Sequence, residues 1–121
     1  MKSHTTNLGI GIDIVDIQRF RKISYSSNPG FYKKIFIPSE IKYCRKFKDP
    51  YPHFAGKFAV KESVIKAINE PVHMLKIETI HVNSKPAVKL RGKLENRYRF
   101  LTSLSHDKNI AIAVVISEVL S

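Results

Sequence analysis

Two carboxylates and a lysine carry the chemistry this chain could perform. Glu62 and Lys66 lie one helical turn apart in the stretch FAGKFAVKESVIKA, and Asp13 closes the run GIGID near the start. Hard divalent cations prefer oxygen ligands and often bridge a carboxylate to phosphate oxygens, while a nearby ammonium screens the phosphate. Asp13, Glu62 and Lys66 are therefore a candidate catalytic set, with Asp13 and Glu62 holding a metal and Lys66 facing a phosphate. On a helix that advances about 100° per residue, Glu62 projects within ~40° of Phe58 and ~20° of Ala55, in a sector otherwise apolar or small. A partly buried carboxylate there must be neutralised, because an unpaired buried charge costs several kcal/mol; a cation is expected beside it. The same residues admit plainer readings. Lys66 can pair with Glu62 as an ordinary i,i+4 salt bridge, and Asp13 can be a turn or helix-capping residue.

A strand and a long helix have to bring these groups together. LGIGIDI, residues 8–14, is β-rich, and its two glycines leave room where another backbone approaches. Asp16 caps a helix over residues 17–23, with Ile17, Phe20 and Ile23 on one face and Arg19, Arg21 and Lys22 opposite. Residues 24–30, rich in Ser, Asn, Pro and Gly, form a loop before a short piece running from Phe31 to Phe36. Pro38 opens a helix through about Phe47, which Asp49 and Pro50 stop. The central helix spans His53 to Asn69 and is closed by Pro71. The segments 77–82 and 87–90 alternate as an antiparallel hairpin across a turn from Asn83 to Pro86. IAIAVVI, residues 110–116, is apolar on both faces and belongs at the centre of a sheet. The fold class is α+β, in a single domain over residues 1–121 with a polar tail at 1–7.

The 21 Lys and Arg outweigh the 10 Asp and Glu, and the net charge of +11 attracts negative partners. Cys44 is the only cysteine, so no intrachain disulfide forms, and a reducing, cytoplasmic setting is expected. No apolar run reads as a signal peptide or membrane anchor, and the five histidines lack zinc-site spacing. A nucleic-acid-binding module is the competing class, on the strength of the basic balance and of Tyr25, Phe31, Tyr32 and Phe36. No RNA-recognition signature or zinc-finger pattern accompanies them.

GIGIDIVDIQRF, FAGKFAVKESVIKA and LTSLSHDKNIAIAVV, in that order, resemble holo-acyl-carrier-protein synthase, of the small trimeric 4'-phosphopantetheinyl transferase family. The resemblance spans nearly the whole chain after the tail, and FAxKE with the following Lys is its most specific part. It implies an antiparallel sheet packed against a long central helix, with active sites between the subunits of a homotrimer. It implies that Asp13 and Glu62 bind magnesium with the pyrophosphate of coenzyme A, and that Lys66 stabilises the transferring phosphate. Lys57 and His106 then contact the nucleotide end of coenzyme A, His106 coming from a neighbouring subunit. Read without the resemblance, His106 follows a strand and is equally a locally satisfied turn residue. The implied acceptor is an acidic acyl carrier protein, docked on Arg19, Phe31 and Lys34, in support of fatty acid biosynthesis; neither nucleic acid nor a membrane is an expected partner. Larger relatives carry a third acidic ligand where this chain has Val15, so water must complete the metal's shell. Two departures bear on the coenzyme A contacts: Asn69 to Val72 replaces a turn that often contains glycine, and Ser84 replaces a glycine common before Lys-Pro.

Overall fold

Small residues decide how closely the long helix meets the sheet. The computed structural model describes residues 7–120, so residues 1–6 of the polar tail lie outside the described residues. In chain order it contains β1 (Leu8–Asp16), α1 (Ile17–Arg21), α2 (Pro29–Lys33), α3 (Pro38–Arg45), α4 (Tyr51–Ala67), β2 (Ile77–Val82), β3 (Lys85–Leu90), β4 (Tyr98–Asp107) and β5 (Ile110–Val119). Single 3-10 turns occupy Met74–Lys76 and Gly92–Leu94. A three-stranded antiparallel sheet runs β1-β5-β4, and β2 and β3 form a separate hairpin. β5 is central, as its two apolar faces require. On one face Ala111, Ala113 and Val115 are fully buried under α4. Gly9 and Gly11 of β1 complete that face: a Cβ on Gly11 would sit 1.9 Å from the Ser63 carbonyl oxygen, and one on Gly9 1.9 Å from that of Ala67. No side chain fits there, so the β1 backbone lies directly on α4.

Local chemistry sets most element ends. Asp16 accepts from the Gln18 N–H at 3.0 Å and caps α1. The helix is shorter than its apolar spacing suggests, because Ile23 N–H bonds to Phe20 O and tightens the last turn. The expected loop over 24–30 ends at Asn28, since Pro29 starts α2 at its first position. Pro38 starts α3 as expected. α4 begins two residues earlier than predicted, at Tyr51, with Pro52 tolerated in its first turn, and it stops at Ala67 because Ile68 is extended and buried. The hairpin turn is tighter than read from sequence: Lys85 pairs with Val82, leaving Asn83 and Ser84 at φ 53° and 67°. Two consecutive positive φ values suit Asn-Gly better than Asn-Ser. Ser84→Gly should therefore stabilise the fold by on the order of 0.5–1 kcal/mol, seen as a higher thermal midpoint.

The core beneath α2, α3 and α4 contains a charged network. Lys61 and Glu40 are fully buried, their ammonium and carboxylate 2.6 Å apart. Lys61 also donates to the carbonyls of Ile35 at 2.8 Å and Met74 at 3.0 Å. Glu40 also accepts from Ile37 N–H at 2.9 Å and from the N–H and hydroxyl of Thr79, both at 2.7 Å. All three ammonium protons and both carboxylate oxygens are thus used, the condition under which a buried ion pair is tolerated. Cys44 is fully buried nearby, and loss of solvent pushes its thiol up to about 12. That thiol is inert at neutral pH.

Candidate active site

Lys66 joins the helix to the edge strand. Its ammonium donates to Ile12 O at 3.0 Å and to Asp13 Oδ1 at 3.1 Å, crossing the edge of β1 that β5 does not cover. The Asp13 side chain is 15% exposed and that of Lys66 53% exposed, so the pair lies at the surface rather than in the core. Helical spacing suggests a Lys66–Glu62 bridge, but Lys66 turns to Asp13 instead. The glycine contacts that seat β1 on α4 bring a stronger set of acceptors within its reach. Glu62 lies one turn before Lys66 on the same stripe and is half-buried, as expected. The cation anticipated beside it is absent: among the described residues, no hydrogen bond or ion pair reaches its carboxylate. Asp13 is not a turn or cap residue; it lies within β1, paired with Ala113, and Asp16 does the capping.

Adjacent residues of FAVKE face different worlds. Lys61 points into the core network, whereas Glu62, about 100° further round, is half-buried on the stripe that also carries Lys66. Sequence reasoning missed Lys61, Glu40 and Thr79. The one available signal was a lysine inside an otherwise apolar helical face.

Lys57 is buried. It donates to Thr79 O at 3.1 Å and Thr79 Oγ1 at 3.0 Å, and lies over the Tyr43 ring at 4.7 Å. Loss of solvent is the largest cause lowering its affinity for a proton. Around it, His81 stacks on Tyr43 at 4.6 Å and His53 on Phe47 at 3.6 Å. Burial first, then the nearby His106, lowers the pKa of His53. Within one chain, His106 thus lies on the His53 side of the molecule. It is exposed and lies inside β4, paired with Ala111, rather than after the strand; the turn is made by Lys108 and Asn109.

Of the docking candidates, Arg19 is exposed with its guanidinium over the Phe58 ring at 5.7 Å, and Phe31 packs half-buried on Phe20 at 6.0 Å. Lys34 is exposed and caps the end of α2. Phe58 is one turn before Glu62, so α4 carries Phe58, Glu62 and Lys66 as one stripe from the Arg19 surface to the Asp13 contact.

Known proteins share this arrangement of elements. The holo-[acyl-carrier-protein] synthase of Thermodesulfovibrio yellowstonii is 40% identical over 111 residues, covering 89% of this chain and 96% of that protein. That of Syntrophus aciditrophicus is 41% identical over 121 residues, covering 91% and 94%. Among solved structures, Helicobacter pylori holo-[acyl-carrier-protein] synthase in complex with coenzyme A is similar with a TM-score of 0.77 at 32% identity, covering 90% of this chain and 99% of that one. The Bacillus anthracis holo-(acyl-carrier-protein) synthase in complex with CoA (3',5'-ADP) also gives a TM-score of 0.77, at 28% identity, covering 93% and 96%. A family model described as the 4'-phosphopantetheinyl transferase superfamily matches residues 9–115. With that match across most of its length and relatives this similar, the chain belongs to the 4'-phosphopantetheinyl transferase superfamily, within its holo-[acyl-carrier-protein] synthase family.

Proposed function

We propose that this chain transfers the 4'-phosphopantetheine arm of coenzyme A to a serine of apo-acyl carrier protein, releasing adenosine 3',5'-bisphosphate, in service of fatty acid biosynthesis. The observation that carries the reading is the Lys66 contact: its ammonium is bonded to Asp13 at 3.1 Å, one turn along α4 from a Glu62 carboxylate that makes no ion pair among the described residues.

Asp13 and Glu62 suit a magnesium ion. Both supply hard oxygen donors, and Glu62 is a half-buried anion without a cation. Val15 is buried in the core and offers no ligand, and no group of three His, Cys, Asp or Glu exists among the described residues. The other positions would fall to water and phosphate oxygens, the way this ion is commonly held. Bound there, magnesium would neutralise charge on the transferring phosphoryl group.

The chain's own groups do the rest. Lys66, on a flexible and largely exposed stem, can exchange Asp13 for a phosphate oxygen and so follow charge as it develops. The carrier serine oxygen attacks the phosphorus nearest the pantetheine, and the bond to the departing bisphosphate breaks. The serine proton leaves to a base, a role open to Glu62 directly or through a water. Lys57 and His106 are the groups for the nucleotide end of coenzyme A.

Arg19, Phe31 and Lys34 form the docking face for an acidic carrier protein, and the Phe58 contact links that face to Glu62. Arg19→Glu should raise KM for the carrier about tenfold or more while kcat changes little. An unchanged KM would remove Arg19 from the face.

A homotrimer with active sites between subunits fits the outer face of the three-stranded sheet. Ile10, Ile12, Ile14, Leu101, Ile112 and Ile116 are exposed there, Leu101 at 69%. An apolar patch of that kind marks an association surface. His106 of one subunit would then serve its neighbour's site. Light scattering should give a trimer for the native chain and a smaller species for Leu101→Glu; a native monomer would refute this arrangement. A cytoplasmic location suits the single buried thiol, and no helix among the described residues is long and apolar enough to cross a membrane.

The test of the reaction is mass spectrometry of an apo carrier protein incubated with this chain, magnesium and coenzyme A. A phosphopantetheine adduct is expected. No adduct, together with steeply salt-dependent RNA binding, would favour a nucleic-acid module instead.

A further inference from the structure

A well of about 850 Å³ opens between α2, α3, the Met74–Lys76 turn and the end of β3. No residue assigned above to metal, coenzyme A or carrier protein lines it. Phe36, Ile37, Ile41 and Leu75 supply an apolar floor. Lys33, Lys42, Arg45, Lys46 and Arg91 stand exposed around it, and no Asp or Glu lines the well. Ion pairs elsewhere engage Arg21, Lys61, Lys66, Arg97 and Arg99; among the described residues, none engages these five.

The well is held open from behind. Lys61 ties Ile35 O at 2.8 Å to Met74 O at 3.0 Å, fixing the segment that precedes Phe36 against the one that precedes Leu75. Glu40 holds the start of α3 through Ile37 N–H at 2.9 Å. A floor anchored by a fully satisfied buried network is preformed, and preformed sites lose less entropy on binding.

The lining defines what would fill it. A free inorganic anion would answer the cations but leave the apolar floor wet. A neutral hydrocarbon would dry the floor and leave five cations without an anion. A nucleic-acid base would need the face of Tyr25, which the Arg45 guanidinium already covers at 4.4 Å. An amphipathic helix is about 10–12 Å across and needs a groove open at its ends, whereas four separate segments wall this well. Its volume falls in the range of roughly 300–1,000 Å³ usual for small-molecule sites.

We propose that this well binds a single acyl chain bearing an anionic head group, carboxylate or phosphate, with the chain on Phe36, Ile41 and Leu75 and the head among Lys42, Arg45 and Arg91. The inference rests on the well alone and stands apart from the transfer reaction. Calorimetric titration of the full chain with sodium laurate and with dodecyl phosphate, each below micelle formation, tests it. One saturable site is expected, dodecanol binding at least about tenfold more weakly because it lacks the charge. The tighter of the two anions identifies the head group. Leu75→Glu, which charges the floor, and Lys42→Glu, which reverses the exposed rim, should each weaken laurate at least about tenfold. Glu62→Gln should leave laurate binding unchanged, and the two well variants should leave phosphopantetheine transfer unchanged. Thermal midpoints close to native confirm that the variants are folded, and Lys42→Glu serves if Leu75→Glu is not. The proposal is overturned if neither anion saturates, or if binding persists in the folded variants. It is overturned equally if coenzyme A displaces laurate while Lys42→Glu has no effect. An acidic helical peptide whose binding is Lys42-dependent, without competition from laurate, would assign the well to a protein partner instead.

Discussion

Glu62→Gln is expected to keep the fold and lose the reaction. The amide has nearly the same shape, and among the described residues the native carboxylate makes no hydrogen bond or ion pair that the change would break. Removing a half-buried, uncompensated charge relieves desolvation, so the thermal midpoint should hold or rise. A neutral amide is a poor magnesium ligand. A metal supplies several kcal/mol of charge stabilisation, and about 1.4 kcal/mol is a factor of ten in rate, so transfer should fall on the order of 10²–10³-fold. Rates of carrier modification at saturating magnesium and coenzyme A measure this. A variant that loses stability along with activity would mean that Glu62 is structural; one that keeps the native rate would remove it from the reaction.

The neighbouring residue should behave in the opposite way. Lys61→Met is expected to destabilise the protein by about 3–5 kcal/mol, a large share of the roughly 5–15 kcal/mol typical of a domain. Lys61 is fully buried against Glu40 at 2.6 Å. Its loss leaves that carboxylate without a cation and the Ile35 and Met74 carbonyls without their donor. Glu40→Gln added to Lys61→Met should recover much of the loss, because the pair's value lies in compensation rather than attraction. Urea unfolding at neutral pH reports both. The folded fraction of Lys61→Met should transfer phosphopantetheine at near the native rate. A loss below about 1 kcal/mol would show that the network is not what holds α3 and the Met74 turn against α4.

What the sequence shows and what it hides follow from the range of the interactions. Asp16 as a cap, Pro38 as a helix start and β5 as the central strand are settled by neighbouring residues or by a local pattern, and each is legible. Lys66 is not. Spacing on one helix points it at Glu62, and only the seating of Gly9 and Gly11 on the Ala67 and Ser63 carbonyls carries Asp13 and Ile12 O to it. The Lys61, Glu40 and Thr79 network joins three segments far apart in the chain, so a lysine inside an otherwise apolar helical face is its only local sign. β4 shows a related limit. Its inward Tyr98, Phe100, Thr102 and Leu104 alternate as a strand should, but outward Leu101 blurs the contrast. The apolar character of Leu101 belongs to the exposed outer sheet face, not to this chain's core.

The central claim is that Asp13 and Glu62 hold one divalent ion together. Manganese is an oxygen-preferring paramagnetic substitute for magnesium, and its binding can be counted by electron paramagnetic resonance in the presence of coenzyme A. The native chain should bind one manganese per active site, and Asp13→Asn and Glu62→Gln should each abolish that binding while the chain stays folded. Undiminished manganese binding in either variant would contradict the account.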